Sequence, residues 1–403
     1  MNNGFSDFAA RLRRLLASED QARQTFDLGL PTPGSTHPSP IQRLPGLRLR
    51  EDAAFNELAL ELFALQFEGN PAYRRICEAR GLLPSAVRHW SRIPAVPTAG
   101  FKELELSCLP HEARTVVFHS SGTSDRHPSR HFHNRESLAV YEASLWPWFR
   151  AHLLRDLKFE ISNLRFALLT PPPSQAPHSS LVHMFETVRR QFGAANSVYV
   201  GGTARDNAWT VDFGKALTAL RAAADGGRPM VLLGTAFSFV HLLDYLADQN
   251  TRFNLPPGSR AMETGGYKGR SRSLPRAELH SLITQQLGIP GTRIVCEYGM
   301  SELSSQAYDA VVAGVEREAG GSDGTFHFPP WARAQLVSPE TGREAAEGET
   351  GLIRVFDLAN VFSVMAIQTE DLAVRHGDGF ELIGRSPLVE PRGCSLMSSA
   401  VIP

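Results

Sequence analysis

Cysteine is scarce in this chain. Its four thiols, Cys77, Cys108, Cys296 and Cys394, are scattered over 403 residues and form no C-x-x-C pair. That argues against a disulfide scaffold and the usual structural zinc site. It makes the reducing cytoplasm the simplest location. Long apolar runs are missing too: nothing approaches the ~20 residues that span a bilayer. The amphipathic N-terminus, MNNGFSDFAARLRRLLASEDQ, lacks the unbroken apolar core of a secretory signal. Net charge is nearly absent, at -1, since 41 Lys and Arg face 42 Asp and Glu. No field therefore draws nucleic acid or an anionic membrane. There is no internal repeat, no low-complexity tract and no Gly-Lys-Ser/Thr ending of a Walker A loop.

What is present is ample apolar material for a core, at 42% of residues. Residues 5 to 26 read as a helix, with Phe5, Phe8, Leu12, Leu15 and Leu16 on one face. Thr32 to Pro45 is rich in Pro, Ser and Gly and reads as a linker. A second amphipathic helix is expected over Ala53 to Glu68, ended by Gly69-Asn70-Pro71. Pro94 and Pro97 exclude a continuous helix through IPAVPTAGFKE. From there short apolar runs alternate with helical patterns: Arg165 to Thr170, Ser197 to Val200, Met230 to Thr235 and Arg293 to Tyr298. These read as buried strands of an α/β sheet. Thr325 to Phe328, Ala332 to Val337, Gly351 to Leu358 and Leu372 to Ile383 read as strands with little helix between them. The last contains a hairpin turn at Gly377-Asp378-Gly379. The expected organisation is a helix and linker over 1–50, an α/β domain over 51–385, and a short arm over 386–403 bearing Cys394.

Three motifs carry chemistry. In FHSSGTSDRHPSR, five small residues, Ser120, Ser121, Gly122, Thr123 and Ser124, follow Val116-Val117. Small side chains let backbone N–H groups converge on an anion, and the hydroxyls add donors. A plain Ser/Gly loop would look the same. CEYGMSE follows a β-branched strand. Tyr298 can stack on a base, Gly299 opens the turn, Ser301 can bond a phosphate, and the hard oxygens of Glu302 can hold Mg²⁺. A strand end with a satisfied polar turn is the plainer alternative. QTEDLA sets adjacent acids at a strand start, with Asp371 placed to accept two hydroxyls of a ribose. Arg385 follows in IGR after the hairpin. Taken singly, Asp371 and Arg385 read as ordinary surface charges. His127, His131 and His133 suit no standard zinc site and read as structural or exposed.

The order and wording of these motifs resemble the adenylate-forming superfamily of acyl-CoA synthetases, luciferase-type enzymes and peptide-synthetase adenylation domains. SSGTS matches the phosphate loop, YGMSE the Tyr-Gly-x-Thr-Glu motif, TEDLA the Thr-Gly-Asp ribose motif, and IGR the motif before the hinge. Ser301 replaces the threonine and Glu370 the glycine. The closer likeness is to the acyl-protein synthetase (LuxE) family. It is carried by FNELALELFALQFEGNPAYRRICE, IPAVPTAGFKE, FHSSGTS, HSSLVHMFE, LLGTAFSFVHLLD, ETGGYKGRSR, CEYGMSELSSQAYD and the closing PRGCSL.

The resemblance implies the large domain of an adenylate-forming enzyme, with layered α/β sheets, a smaller β-rich C-terminal part and no full C-terminal domain. It implies use of ATP and Mg²⁺ to turn a carboxylic acid, here a medium- or long-chain fatty acid, into an acyl adenylate. Cys394 matches the family's acylated cysteine, and an acyl-CoA-reductase-like partner in a hetero-oligomer would take the thioester. The lysine that such enzymes carry on the C-terminal domain must be replaced. Lys268 and Arg270, in ETGGYKGR, are the candidate cations, or else a solvated loop. Two rivals stand: an acyl- or aryl-CoA (or carrier-protein) ligase, and a non-catalytic docking subunit. Cys77 and Cys108 read as buried helix or loop thiols, and Cys296 as strand core.

Overall fold

The structure is a computed structural model that describes residues 3–27, 48–120, 127–155, 164–192, 197–205, 208–265, 274–309, 312 and 324–385. The chain opens with α1 (Asn3–Asp27), α2 (Asp52–Gly69) and α3 (Pro71–Ala79). Asn70 starts α3: its side chain accepts from the Tyr73 N–H, and Pro71 sits at the first helical position, where no donor is needed. A two-residue strand β1 (Val96–Pro97) and a short α4 (Gly100–Glu103) occupy the proline-punctuated segment. A hairpin follows, β2 (Val116–His119) with β3 (Arg130–His133), then α5 (Arg135–Leu153). A reciprocal cap starts α5, with Asn134 Oδ1 taking the Ser137 N–H at 2.8 Å and Ser137 Oγ taking the Asn134 N–H at 2.9 Å.

The middle of the chain alternates strand and helix. In order come β4 (Arg165–Leu168), α6 (Ser180–Phe192), β5 (Ser197–Tyr199), the small hairpin β6 (Gly201–Thr203) and β7 (Trp209–Val211), α7 (Phe213–Asp225), β8 (Met230–Thr235), α8 (Ala236–Asp248), β9 (Arg260–Thr264), α9 (Arg276–Leu287), β10 (Ile294–Tyr298) and β11 (Ala307–Tyr308). These build a sheet of order β11-β10-β9-β8-β4-β5, parallel except at β11. The last part is antiparallel: β12 (Thr325–Phe326), β13 (Ala332–Val337), β14 (Thr350–Asp357), β15 (Ala366–His376) and β16 (Gly379–Arg385), ordered β12-β16-β15-β14-β13. β1 joins it in parallel through Val96 beside Ile367. The fold is therefore α/β with a smaller β-rich C-terminal part.

Two readings of the sequence are corrected. β9 was not anticipated, because RAMET carries Arg260 and Glu263 in a central strand. Arg260 is fully buried, and its guanidinium donates to Leu153 O at 2.6 Å and Gly258 O at 2.7 Å. A buried cation satisfied by carbonyls hides the apolar run on which a sequence reading depends. β15 starts at Ala366, so QTEDLA lies inside a strand and not at its start. The apolar Ala366-Ile367 pair extends it backward between β14 and β1.

Two hydrophobic clusters hold the elements together. Phe5, Phe8, Leu12 and Leu16 of α1 pack in the same cluster as Phe55 and Leu62 of α2 and Phe149 of α5. Each fully buried Leu or Phe contributes roughly 1.5–3 kcal/mol. α1 and α5 run parallel, fastened by Ser6 Oγ to Glu136 Oε2 at 3.0 Å and by Arg150 Nη2 to Asp20 Oδ1 at 2.5 Å. Gly69 lets Phe5 approach, since a Cβ there would lie 2.6 Å from the Phe5 ring. A second cluster fills the space between the parallel sheet and α7, α8 and α9. Among the described residues no helix is long and apolar enough to cross a membrane.

Candidate active site

The carboxyl ends of parallel strands are where open α/β sheets bind ligands. β10 ends at Tyr298, and the chain from Ser301 to Asp309 is buried although little of it is regular structure. Its backbone polar groups need partners, and Asp357, the last residue of β14, and Asn360, just past it, supply them. Asp357 accepts the Ser304 N–H at 2.9 Å, the Ser305 hydroxyl at 2.7 Å and the Ala359 N–H at 2.9 Å. Burial pushes its carboxyl up to about 6 against those donors. Asn360 Nδ2 donates to Glu302 O at 2.8 Å, and Ser304 Oγ donates to Asn360 Oδ1 at 2.6 Å. Gln66 of α2 reaches Asn360 O at 2.7 Å. The turn is thus held from below by two other elements.

Glu302 is buried on this turn, and Ser301 Oγ donates to its Oε2 at 3.1 Å. Burial raises its carboxyl pKa, opposed by the Ser129 and Ser301 hydroxyls and by the charge of Arg385. A buried, hydroxyl-flanked carboxylate beside one cation has the hard oxygens that a divalent ion takes. Tyr298 donates from its hydroxyl to Asp371 Oδ2 at 2.8 Å. Burial, and then the Asp371 charge, pushes the phenol well above its ordinary range, so it stays protonated. Its ring meets Phe380 edge-on at 5.4 Å and also faces Phe326 and Phe328. Asp371 Oδ1 lies 3.5 Å from Arg385 Nε, and the two residues are register partners on β15 and β16. Tyr298, Asp371, Arg385 and Glu302 therefore converge from two different sheets.

The mouth of the β2–β3 hairpin adjoins them. Ser120 Oγ accepts the Ser129 N–H at 3.1 Å, and the Ser120 N–H reaches Ser129 O at 3.4 Å. Ser121, Gly122, Thr123, Ser124, Lys268, Arg270 and Cys394 lie outside the described residues. Gly299 leaves room for its neighbour: a Cβ there would lie 2.3 Å from Glu297 Oε1, so that carboxylate would have to shift. Glu297 is itself buried and accepts the Thr264 hydroxyl. Burial pushes its carboxyl up to about 7, the Thr264 bond opposing and the Glu263 charge adding.

Sequence reasoning did not single out Asp357, Asn360, Ser129 or Gln66, and gave His131 no task at the site. Its signals were the acid and amide of D-L-A-N closing β14, and the period-two spacing of Ser129, His131 and His133. His127 is exposed, whereas His131 and His133 are buried, and burial pushes His131 down to about 4. The three described cysteines form no disulfide. Burial pushes Cys77 up to about 11 and raises Cys108 and Cys296 further. Among the described residues no cluster of His, Cys, Asp and Glu is built to hold a metal by itself.

The parallel sheet, the buried turn after β10 and the adjoining antiparallel sheet together define an adenylate-forming ligase fold. Solved structures agree. An open conformation of 2-hydroxyisobutyryl-CoA ligase, in complex with 2-HIB-AMP and CoA, superposes with a TM-score of 0.61 at 14% identity, over 87% of this chain and 74% of that one. The same enzyme in its postadenylation state gives 0.60 at 15% identity, over 90% and 74%. Within that class the chain belongs to the acyl-protein synthetase family, LuxE, whose family model matches residues 49–402, and it is a ligase. The long-chain-fatty-acid–luciferin-component ligase of Aliivibrio fischeri is 24% identical over 372 residues, covering 86% of this chain and 88% of that protein.

Proposed function

We propose that the chain uses ATP and Mg²⁺ to activate a carboxylic acid as its acyl adenylate, then carries the acyl group on Cys394 as a thioester. The substrate class is a medium- or long-chain fatty acid, supported by the name of the Aliivibrio fischeri relative. The observation that supports the reading most is the convergence of the Tyr298–Asp371–Arg385 chain with the Ser301–Glu302 turn. In the first step a carboxylate oxygen bonds the α-phosphorus and pyrophosphate leaves. In the second the thiolate sulfur bonds the acyl carbon, AMP leaves with the electron pair, and the thiol proton passes to solvent. Asp371, oriented by the Tyr298 hydroxyl, accepts the ribose hydroxyls. Arg385 lies beside both acids and offsets charge at the phosphates. Glu302 is the residue that would hold Mg²⁺, and the bound ion supplies neutralising charge across the phosphate oxygens. Ser120 to Ser124 supply small-residue donors to those phosphates.

Cys77, Cys108 and Cys296 are poor rivals to Cys394. Their raised pKa values keep them as thiols, and only the thiolate attacks. Lys268 is the cation assigned to the adenylation step. A protein thioester is useful only where a second active site reaches it. The product side therefore calls for a reductase partner and a cytoplasmic hetero-oligomer. The test is incubation with ATP, Mg²⁺ and a ladder of fatty and aromatic acids, read by pyrophosphate exchange and intact-protein mass. The expected result is acid-dependent exchange with a hydroxylamine-sensitive acyl adduct. Acyl-CoA or acyl-carrier product without an adduct would replace this reading with a CoA-type or carrier-protein ligase. No exchange with any acid would replace it with a docking subunit.

A further inference from the structure

We infer that His131 is a positioning residue that ties the phosphate-loop hairpin to the Ser301–Glu302 turn. This deepens the proposed function, on which its catalytic readout rests. The argument starts from strand alternation. On β3 successive side chains point to opposite faces, and the buried positions are His131 and His133, with Ser129 buried just before the strand. That face lies against the turn after β10. His131 Nδ1 is 2.9 Å from Ser301 O. A carbonyl only accepts, so the imidazole carries its proton on Nδ1 and donates it. One residue further, the side chain of Ser301 bonds the carboxylate of Glu302 at 3.1 Å. At the other end of the same face Ser129 gives its N–H to Ser120 Oγ. A single rigid strand therefore spans from the first residue of the SSGTS loop to the backbone of the turn that carries Glu302.

Packing fixes the ring. The centroids of His131 and His133 are 4.2 Å apart, and Phe101 meets His131 edge-on at 6.3 Å. His131 is 3% exposed, so water does not replace a lost bond to Ser301 O cheaply. The consequence is a shared register: the hairpin that would cradle phosphates cannot move relative to Glu302 without breaking this bond. His131 touches no reacting atom in this account. It sets where Glu302 stands relative to the loop.

The test compares His131→Leu, which removes the donor, with His131→Asn, whose amide N–H stands near the Nδ1 position. In pyrophosphate exchange, His131→Leu should raise the half-saturating Mg²⁺ concentration about tenfold, the factor expected for one lost hydrogen bond. The KM for the acid should not move, and His131→Asn should stay within about twofold of the wild type. Amide hydrogen exchange of residues 299–306 gives a readout that needs no activity. It should quicken in His131→Leu and not in His131→Asn. The proposal is overturned if both variants lose activity equally with the Mg²⁺ requirement unchanged. It is equally overturned if amide exchange is the same in all three proteins. A wild type inert in pyrophosphate exchange sinks the proposed function, while amide exchange still decides the tether.

Discussion

Glu297→Gln should make this protein more stable at alkaline pH and leave it unchanged at acid pH. The carboxyl is buried at the end of β10, and burial raises it from an ordinary 4.5 to about 7. At about 1.4 kcal/mol per pH unit, that displacement corresponds to roughly 3 kcal/mol of ionisation cost in the folded state. The sign follows from linkage. Between 4.5 and about 7 the folded chain holds this proton and the unfolded chain has released it. The stabilising contribution is complete below 4.5 and is lost as pH rises through 7. Glutamine keeps the oxygen that accepts the Thr264 hydroxyl and never ionises. Asp357, held near 6, falls in the same direction but is common to both proteins, so the difference between them isolates Glu297. Denaturant melts of wild type and variant at half-unit steps from pH 4.5 to 8.5 give the difference curve. It should be near zero at the acid end and approach about 3 kcal/mol above pH 8. A difference that does not vary with pH would show that Glu297 ionises as an ordinary carboxylate, and the burial argument would be wrong.

Further expectations are directly measurable. Asp371→Ala should raise the KM for ATP by ten- to a hundredfold, losing a charge-assisted contact of roughly 1.5–3 kcal/mol; an unchanged KM removes Asp371 from the nucleotide site. Glu302→Gln should raise the Mg²⁺ requirement by a similar factor, which a metal titration of pyrophosphate exchange reads. Cys394→Ser should keep pyrophosphate exchange and lose the hydroxylamine-sensitive adduct. A surviving thioester label would move the nucleophile to Cys77, Cys108 or Cys296. Asn360→Ala should cost about 2–4 kcal/mol of stability, because the Glu302 carbonyl and the Ser304 hydroxyl would lose buried partners together; a smaller loss in thermal melts would mean water enters the gap.

The sequence was most legible where burial and composition agree. Met230 to Thr235 is an unbroken apolar run and is β8 with the same limits. Ala332 to Val337 likewise matches β13. β9 was hidden by Arg260, whose burial depends in part on Leu153 O, 107 positions away in the chain. The start of β15 was hidden because its apolar residues pair with β1, a two-residue strand that no local pattern announces. At the site, Tyr298, Glu302, Asp371 and Arg385 were legible as motifs because each kept its chemistry in a short string. Their supports were not. Asp357, Asn360 and Gln66 act across 52 to 294 positions of sequence, so only tertiary structure brings them to the turn.

The parallel pairing of α1 with α5 bears on where this protein can be cut. The family signature begins at residue 49, yet the hydrophobic core begins at Phe5. α5 is the intermediary: its Ser144 meets Ser305 Oγ at 2.9 Å and takes the Trp331 indole N–H at 2.7 Å, and Ser305 in turn bonds Asp357. A helix outside the recognised homologous span is thus two contacts away from the turn that bears Glu302. Trimming the chain to its signature would strip α5 of the partner it lies along and remove Phe5, Phe8, Leu12 and Leu16 from the core. Such a fragment would keep every residue by which the family is recognised and lose the brace that holds them in place.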